Sequence, residues 1–463
     1  MADILAAGPW AGEPRAAKHQ EAKHREDRLR QGHSQAMPTL PVALPRMPPA
    51  EAILPYLREI DASRIYSNHG PLARRLAARL ANRLDIAAGG VATVVNATLG
   101  ITLALQAVGA SQGSLCLMPA WTFAATAHAA VQAGLVPYFL DVDRTSWAME
   151  PAMVRQVLMR LPPGRMGAVL PVCPYGRPLD LAAWDAFEEE TGIPVVVDAA
   201  AGFDALRSVG RAPVVVSMHA TKGFGAGEGG FVASRREDVI RGVTRRANFG
   251  FLMDRSAQVP ATNAKLSEYH AAVGLASFDA WPDTRAELAA AAASLTEALS
   301  GLPGLRPMDG WGTEWVGTTN VVEVEPTLAH LLGADPAGTI AVGLDRYGVD
   351  SRRWWGEGLH REVAFADFPR DPLPVTDALA RTTLGLPFRI DPAPGDVSRI
   401  AQALQATLSD ALDAGGPAAH APAGDESTAT RVSHCQLSPR VALEGTCSTR
   451  FPAAAPAGAG PHP

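Results

Sequence analysis

Cysteine is scarce in this chain of 463 residues, and the four present, Cys116, Cys173, Cys435 and Cys447, show no CxxC spacing. Neither a zinc site nor a disulfide framework is indicated. Cys116 lies in an apolar run and reads as a small buried hydrophobe. Positive charge is not in excess: 41 Lys and Arg stand against 47 Asp and Glu, a formal net charge of -6. No basic face for nucleic acid follows from that balance. No uncharged apolar run is long enough to cross a bilayer. Pro9, Glu13 and Arg15 interrupt the first apolar residues, so no secretory signal is read there, and a cytoplasmic location is expected. No internal repeat is visible. What the chain does have is 47% hydrophobic residues, which rules out wholesale disorder. Its length suffices for one large and one small domain with a sizeable core.

The two ends differ from the middle. Residues 1–40 mix charges and histidines, as in the run from Lys18 to Asp27, and are expected to be a disordered extension or a short solvated helix. His19 and His24 have nothing converging on them that suggests a metal. From Ala414 to Pro463 the chain is rich in Ala, Gly and Pro, and cannot bury enough surface to offset its ordering entropy. A disordered tail carrying Cys435 and Cys447 as exposed thiols is expected. Between the ends, strands and helices alternate. Leu72, Leu76, Leu80 and Leu84 recur every four residues with arginines between them, an amphipathic helix. Strands are expected at Leu115–Met118, Val136–Leu140, Ala168–Val172, Val195–Asp198, Val214–Met218 and Asn320–Val324. Helices are expected at Leu181–Glu190, Ala286–Leu299 and Val397–Leu408. This alternation predicts an α/β class with a mostly parallel sheet.

Three segments carry chemistry. In Ser217–Gly230 a single lysine, Lys222, sits among small and apolar residues between two short strands. Desolvation lowers a lysine pKa, and only the neutral amine attacks an aldehyde, so a Schiff-base lysine fits. A surface lysine in a flexible loop fits that segment equally. The run Val195–Val196–Val197 ends in Asp198. β-Branched runs are strands buried on both faces, and functional groups in such sheets lie at carboxyl ends. Asp198 could pair with a protonated ring nitrogen, as pyridoxal phosphate requires, or merely cap the following turn. The strand Val91–Val95 leads into a helix at Asn96–Ala97–Thr98, whose free N–H groups suit a phosphate. Ser217 could add a hydroxyl.

Taken together, these segments resemble the DegT/DnrJ/EryC1/StrS family of pyridoxal-phosphate-dependent aminotransferases. The family's lysine motif, Ser-Phe-x-x-x-Lys-x-x-x-x-Gly-Glu-Gly-Gly, is matched from Ser217 to Gly230, with Met218 in place of Phe. Its Ser-Gly-Thr turn stands here as Asn96-Ala97-Thr98. Its Pro-x-aromatic-Thr-Phe-x-Ala-Thr segment runs from Pro119 to Thr126, and its Gly-x-Asn-x-Arg segment is Ala261-Thr262-Asn263-Ala264-Lys265. The resemblance runs in order from about Tyr66 to Leu275 and continues more weakly to about Leu408. It implies fold type I: a large cofactor domain with its N-terminal arm over 41–285 and a smaller C-terminal α/β domain over 286–413. It implies that Lys222 forms the Schiff base and shuttles the proton, that Asp198 pairs with the pyridinium, and that Trp121 stacks on the ring. Ala97, Thr98 and Ser217 would hold the phosphate, and Asn263 would reach it from the partner subunit of a homodimer with shared sites. On the substrate side it implies roles for His69, beside the family's Gly-Pro loop, and for Arg353 and His360 in the segment Asp350–His360, which lacks the family's proline.

Departures are also visible. Ala201 stands where the family has Gln or His, and Val172–Gly176 replaces a Val-His-x-x-Gly loop. The missing side chain at Ala201 is expected to leave space for a bulkier substrate or a water. The implied activity is transfer of an amino group, with glutamate as donor, to a nucleotide-linked keto-sugar or related carbonyl compound. A lyase or dehydratase on the same scaffold is the alternative, but relatives that dehydrate sugars replace the lysine with histidine, unlike Lys222. A cofactor-binding regulatory protein without turnover is the other alternative.

Overall fold

The computed structural model describes residues 39–162, 164–251 and 255–413, all within one compact unit. The expectations for residues 1–38 and 414–463, including His19, His24, Cys435 and Cys447, lie outside the described residues.

The centre is a sheet built from strands β1 (Val91–Val94), β2 (Leu115–Pro119), β3 (Val136–Leu140), β4 (Met166–Val169), β5 (Val197–Asp198), β6 (Val214–Ser217) and β7 (Gly230–Ala233). Two ladders, β3-β2-β4 and β5-β6-β7-β1, are joined by parallel bridges Val169↔Val195 and Val172↔Asp198. β7 runs antiparallel to both of its neighbours, and every other pairing in the sheet is parallel. The sheet is therefore mostly parallel, as the alternation predicts. β1, β2, β6 and β7 are buried along their whole length, consistent with their apolar, unalternating composition.

Helices cover both faces. Ala97–Ala107 lies so close to the sheet that a Cβ on Gly100 would stand 2.9 Å from Val215 Cγ1. Pro71–Arg83 turns Leu72, Leu76 and Leu80 inward at 0–1% exposure, and Leu84 at its C-cap is equally buried. It packs on Glu268–Asp279, where an added Cβ on Gly274 would meet Leu76 Cδ2 at 2.9 Å.

Trp281–Ser300 starts five residues before the expected Ala286, because Pro282 occupies the first turn, where its missing N–H is harmless. Beyond it, β8 (Leu305–Pro307), β9 (Asn320–Val324) and β10 (Thr383–Leu386) form an antiparallel sheet in the order β10-β9-β8. Helices Pro326–Leu332, Pro336–Arg346, Pro374–Thr382 and Asp396–Asp413 accompany it. The segment near Leu40 and Ala43 crosses to this second sheet through bridges to Val349 and Phe388. The expected strand at Val195–Asp198 shortens to two paired residues, with Val195 contributing a lone bridge. Ala168–Val172 becomes β4, ending at Val169.

Candidate active site

Because β1, β2, β4, β5 and β6 are mutually parallel, their carboxyl ends share one edge of the sheet. The loops leaving that edge begin at Asn96, Trp121, Cys173, Ala199 and Met218. Open α/β sheets bind ligands at that edge.

Gly230 fixes the first part of the site. It pairs with Val94 on one side and Ser217 on the other. A Cβ there would stand 2.9 Å from Ala97 N, 2.9 Å from Val216 O and 3.1 Å from Asn96 C. Only glycine lets the Asn96–Ala97 turn rest on the sheet, and this contact brings Ala97 and Thr98 beside Ser217. Asn96 caps the helix, its Oδ1 accepting from Leu99 N at 2.9 Å. The N–H groups of Ala97 and Thr98 remain free of intrahelical carbonyls. Ser217 is buried, and its Oγ accepts from His219 N at 3.2 Å. The three residues could hold an anion at a helix N-terminus.

Asp198 lies at the end of β5, 5% exposed. Its Oδ2 accepts from Thr126 Oγ1 at 2.8 Å and its Oδ1 from Ala200 N at 3.0 Å. Thr126 Oγ1 in turn pairs with Thr122 Oγ1 at 2.8 Å. Burial raises the carboxyl pKa, while the Thr126 hydroxyl, the Ala200 N–H and the Lys222 charge act to lower it. Lys222 shows the mirror effect: burial pushes its amine down, and Asp198 pulls it back up. The two groups feel each other, yet among the described residues no ion pair joins them.

The Lys222 loop is held shut by its backbone. Met218 N donates to Gly229 O, Ala220 N to Gly227 O, Ala226 N to Met218 O and Lys222 N to His219 O. Thr318, from the chain preceding β9, donates through Oγ1 to Thr221 O at 2.6 Å. Met218, the residue in the family's Phe position, is fully buried, and Gly229 at φ +155 makes room for its Cε.

The DegT/DnrJ/EryC1/StrS aminotransferase family matches this chain over residues 49–405. The chain belongs to that family. It is a pyridoxal-phosphate-dependent aminotransferase by descent. Protein Rv3402c of Mycobacterium tuberculosis (strain ATCC 25618 / H37Rv) is 31% identical over 408 residues, covering 85% of this chain and 96% of that protein. The dTDP-4-amino-4,6-dideoxy-D-glucose transaminase of Shigella dysenteriae is 30% identical over 239 residues, 50% of this chain and 63% of that one. The crystal structure of DesI in the presence of its TDP-sugar product superposes with a TM-score of 0.72 at 29% identity, covering 81% of this chain and 94% of that chain.

The residues fit the family's cofactor. Asp198 is a buried carboxylate satisfied only by neutral donors, an arrangement that is costly without a cation. A protonated ring nitrogen supplies one. Trp121 follows β2 directly and is 2% exposed, with its Nε1 buried and unpartnered among the described residues. Trp355 meets it edge-on at 5.4 Å between ring centroids and stacks on Tyr175 at 4.0 Å. Of the two adjacent tryptophans, Trp355 thus faces the site, while Trp354 packs over Gly385 and under Arg352.

Ala201 opens onto a cavity it shares with Tyr175, Asp204, Lys222 and Thr318, of about 10 Å³. That is room for about one water.

Asn263, expected at the partner's phosphate, and the expected substrate residues His69, Arg353 and His360 are less well gathered. Asn263 is exposed, on a segment whose next carbonyl, Ala264 O, accepts from Val95 N at 2.8 Å beside the phosphate turn. His69 has φ +56 and a buried Nε2 without a partner among the described residues. His360 is buried, its Nε2 3.0 Å from Asp377 Oδ1. Its turn reaches the site through Leu359 N, which donates to Ala120 O at 2.9 Å. Arg353 donates to Asp335 Oδ1 and to Ala380 O at the end of the Pro374–Thr382 helix. Among the described residues, no hydrogen bond or ion pair joins Arg353 to Lys222 or Asp198. Sequence reading gave no role to Thr126 and Thr122. Their four-residue spacing at a helix start, just after the expected ring-stacking Trp121, was the available signal.

Proposed function

We infer that this chain moves an amino group from a donor such as glutamate to the carbonyl of a keto-sugar, with a nucleoside diphosphate as the sugar's carrier. The observation that carries the reading is the opposed pair Lys222 and Asp198 at the ends of neighbouring loops, with the Ala97–Thr98–Ser217 cradle beside them. Bound there, pyridoxal phosphate supplies an electron sink and an amine carrier. Ala97, Thr98 and Ser217 hold its phosphate. Asp198 keeps a proton on the ring nitrogen, and Thr126 orients the carboxylate. Lys222 Nζ, its pKa lowered by burial, would carry the proton taken from the substrate carbon. Trp121 covers one ring face and excludes water. The keto-sugar acceptor rests on the relatives described above, a dTDP-4-amino-4,6-dideoxy-D-glucose transaminase and DesI with its TDP-sugar product. The exposed Asn263 supports a homodimer in which it reaches the partner's phosphate.

The test is an absorption spectrum of the purified protein before and after glutamate, with Lys222→Ala alongside. A visible band that glutamate bleaches, absent from the variant, supports the donor half-reaction. A band that no amine changes removes the reading. Analytical ultracentrifugation reads the dimer.

A further inference from the structure

Asp204 is 1% exposed and has both carboxylate oxygens committed to the protein. Oδ1 accepts from Arg285 Nε at 2.8 Å and from Arg207 at 3.1 Å, and Oδ2 accepts from Val316 N at 2.9 Å. A buried ion pair contributes little net stability, because desolvation offsets the attraction. It can fix geometry, and here it fixes two elements that flank the lysine.

The first is the chain before β9. Two residues beyond Val316, Thr318 Oγ1 donates to Thr221 O at 2.6 Å, immediately before Lys222. Between them, a Cβ on Gly317 would stand 3.4 Å from Tyr175 O, so this stretch lies close against the cavity wall. The second is the helix Trp281–Ser300, where Trp281, Arg285 and Leu288 share one face at helical spacing. Arg285 reaches Asp204, while Trp281 and Leu288 face Gly223, where an added Cβ would stand 3.7 Å from each. Phe203, next to Asp204, meets Trp281 edge-on at 4.8 Å between ring centroids. Both chain neighbours of Lys222 are therefore braced by elements that Asp204 holds.

We propose that Asp204 is a positioning residue for Lys222: by fixing Val316 and Arg285 it sets Thr221 and Gly223, and with them how far the amine is withdrawn from water. The titratable groups around Lys222 are Asp198 at the end of β5, Asp204 and Tyr175 on the wall of the shared cavity, and His219 and Glu228 in its own loop. Asp198 is the charge that acts on the amine. Asp204 works instead through the backbone it braces. Its link to the reaction rests on the function inferred above.

The experiment measures the pH midpoint of Lys222 acylation in the full-length, cofactor-free chain, by short pulses of acetic anhydride and peptide mass spectrometry. The midpoint is used because the rate alone also follows access. Wild type is compared with Asp204→Ala, Thr318→Val, Thr318→Ser and the double variant Asp204→Ala/Thr318→Val, with melting temperatures read alongside. Loosening the brace hydrates the amine, so its depressed pKa moves back up. The midpoint should rise by about one pH unit in Asp204→Ala and in Thr318→Val, and stay near wild type in Thr318→Ser, which keeps the hydroxyl. The Asp204→Ala shift should be smaller in the Thr318→Val background, because the two share a route. An unmoved midpoint in Asp204→Ala with a lowered melting temperature makes Asp204 a structural ion pair and overturns the proposal. So do equal Asp204→Ala shifts in both backgrounds. An unmoved midpoint in Thr318→Val overturns it as well, even where Asp204→Ala fails to fold. If glutamate leaves the wild-type spectrum unchanged while the midpoint follows Asp204 and Thr318, the inferred activity falls and Asp204 still positions Lys222.

Discussion

The carboxyl edge around Lys222 and the segment Asp350–His360 are both aligned with the same family motifs, yet the structure treats them differently. At the sheet edge, the positions are fixed by backbone. Gly230 admits the Asn96–Ala97 turn, four main-chain hydrogen bonds close the Lys222 loop, and a strand end delivers Asp198. In the second region no strand end points at the site, and side-chain partners decide each orientation. Arg353 is taken by Asp335 and Ala380, and His360 by Asp377, while Trp355 faces inward through its stack on Tyr175. Sites built on strand ends are legible from strand patterns. Sites built on loops are decided by partners far away in sequence.

Breaking the first region has the largest expected effect. Lys222→Met removes the proton carrier, and the donor half-reaction should slow by about a thousandfold or more, read by stopped-flow absorbance. The same change should stabilise the cofactor-free protein near neutral pH, because it deletes a desolvated amine. The native amine titrates below its unfolded value, so its full stability is present only above the unfolded pKa and is lost as pH falls through the native one. The gain in melting temperature of Lys222→Met over wild type should therefore shrink as pH is raised towards 10. A gain that grows with pH would contradict a depressed lysine.

Leu76→Ala probes the scaffold beneath that edge. Leu76 is fully buried and fills the space beside Gly274, so the loss should be about 2–5 kcal/mol in denaturant unfolding. The half-reaction rate of the folded fraction should be unchanged, since Leu76 packs against Gly274 on the neighbouring helix. A large rate effect would mean that the helix pair controls the site's geometry.

Thr126→Val sharpens the comparison within the edge itself. The isostere deletes the Oδ2 hydrogen bond to Asp198 while keeping the volume, and should cost about 1.5–3 kcal/mol of stabilisation of the charged carboxylate. Asp198 is already raised by burial, so the variant should raise it further. The measured consequence is a slower half-reaction whose loss deepens as pH falls. A uniform, pH-independent drop would point to lost packing instead.

These cases show what the sequence could and could not carry. Apolar strand runs and the four-residue leucine period revealed the parallel sheet and the Pro71–Arg83 helix, because each is a local pattern with one physical reading, whereas the Lys222 segment and Asp198 each left two readings open and were assigned through the family motifs. Thr126 was not assigned because its partner lies 72 residues away. Strand ends shifted by a few residues where a lone bridge replaced a ladder, as at Val195. Ala201 was read as leaving space, and in the structure it lines a small cavity with Tyr175, Asp204 and Lys222.

Arg353 gives the smallest expected effect and the cleanest contrast. Its sequence neighbourhood suggests a grip on an anionic substrate, whereas its recorded contacts are structural: Asp335 caps the Pro336–Arg346 helix, and Ala380 O lies near the end of the Pro374–Thr382 helix. Half-buried between two helices, the guanidinium joins them rather than facing Lys222. Arg353→Met keeps most of the aliphatic packing and removes the donors. It should lower stability by about 1 kcal/mol, because a partly exposed ion pair contributes little once solvent screening is counted. The acceptor KM, once a keto-sugar acceptor is in hand, should stay within about twofold of wild type, since a lost charge-assisted contact to substrate would cost about tenfold or more. A tenfold rise in KM at unchanged stability would show that the side chain leaves Asp335 during turnover. The acceptor region would then be one that substrate assembles, in contrast to the prebuilt edge around Lys222.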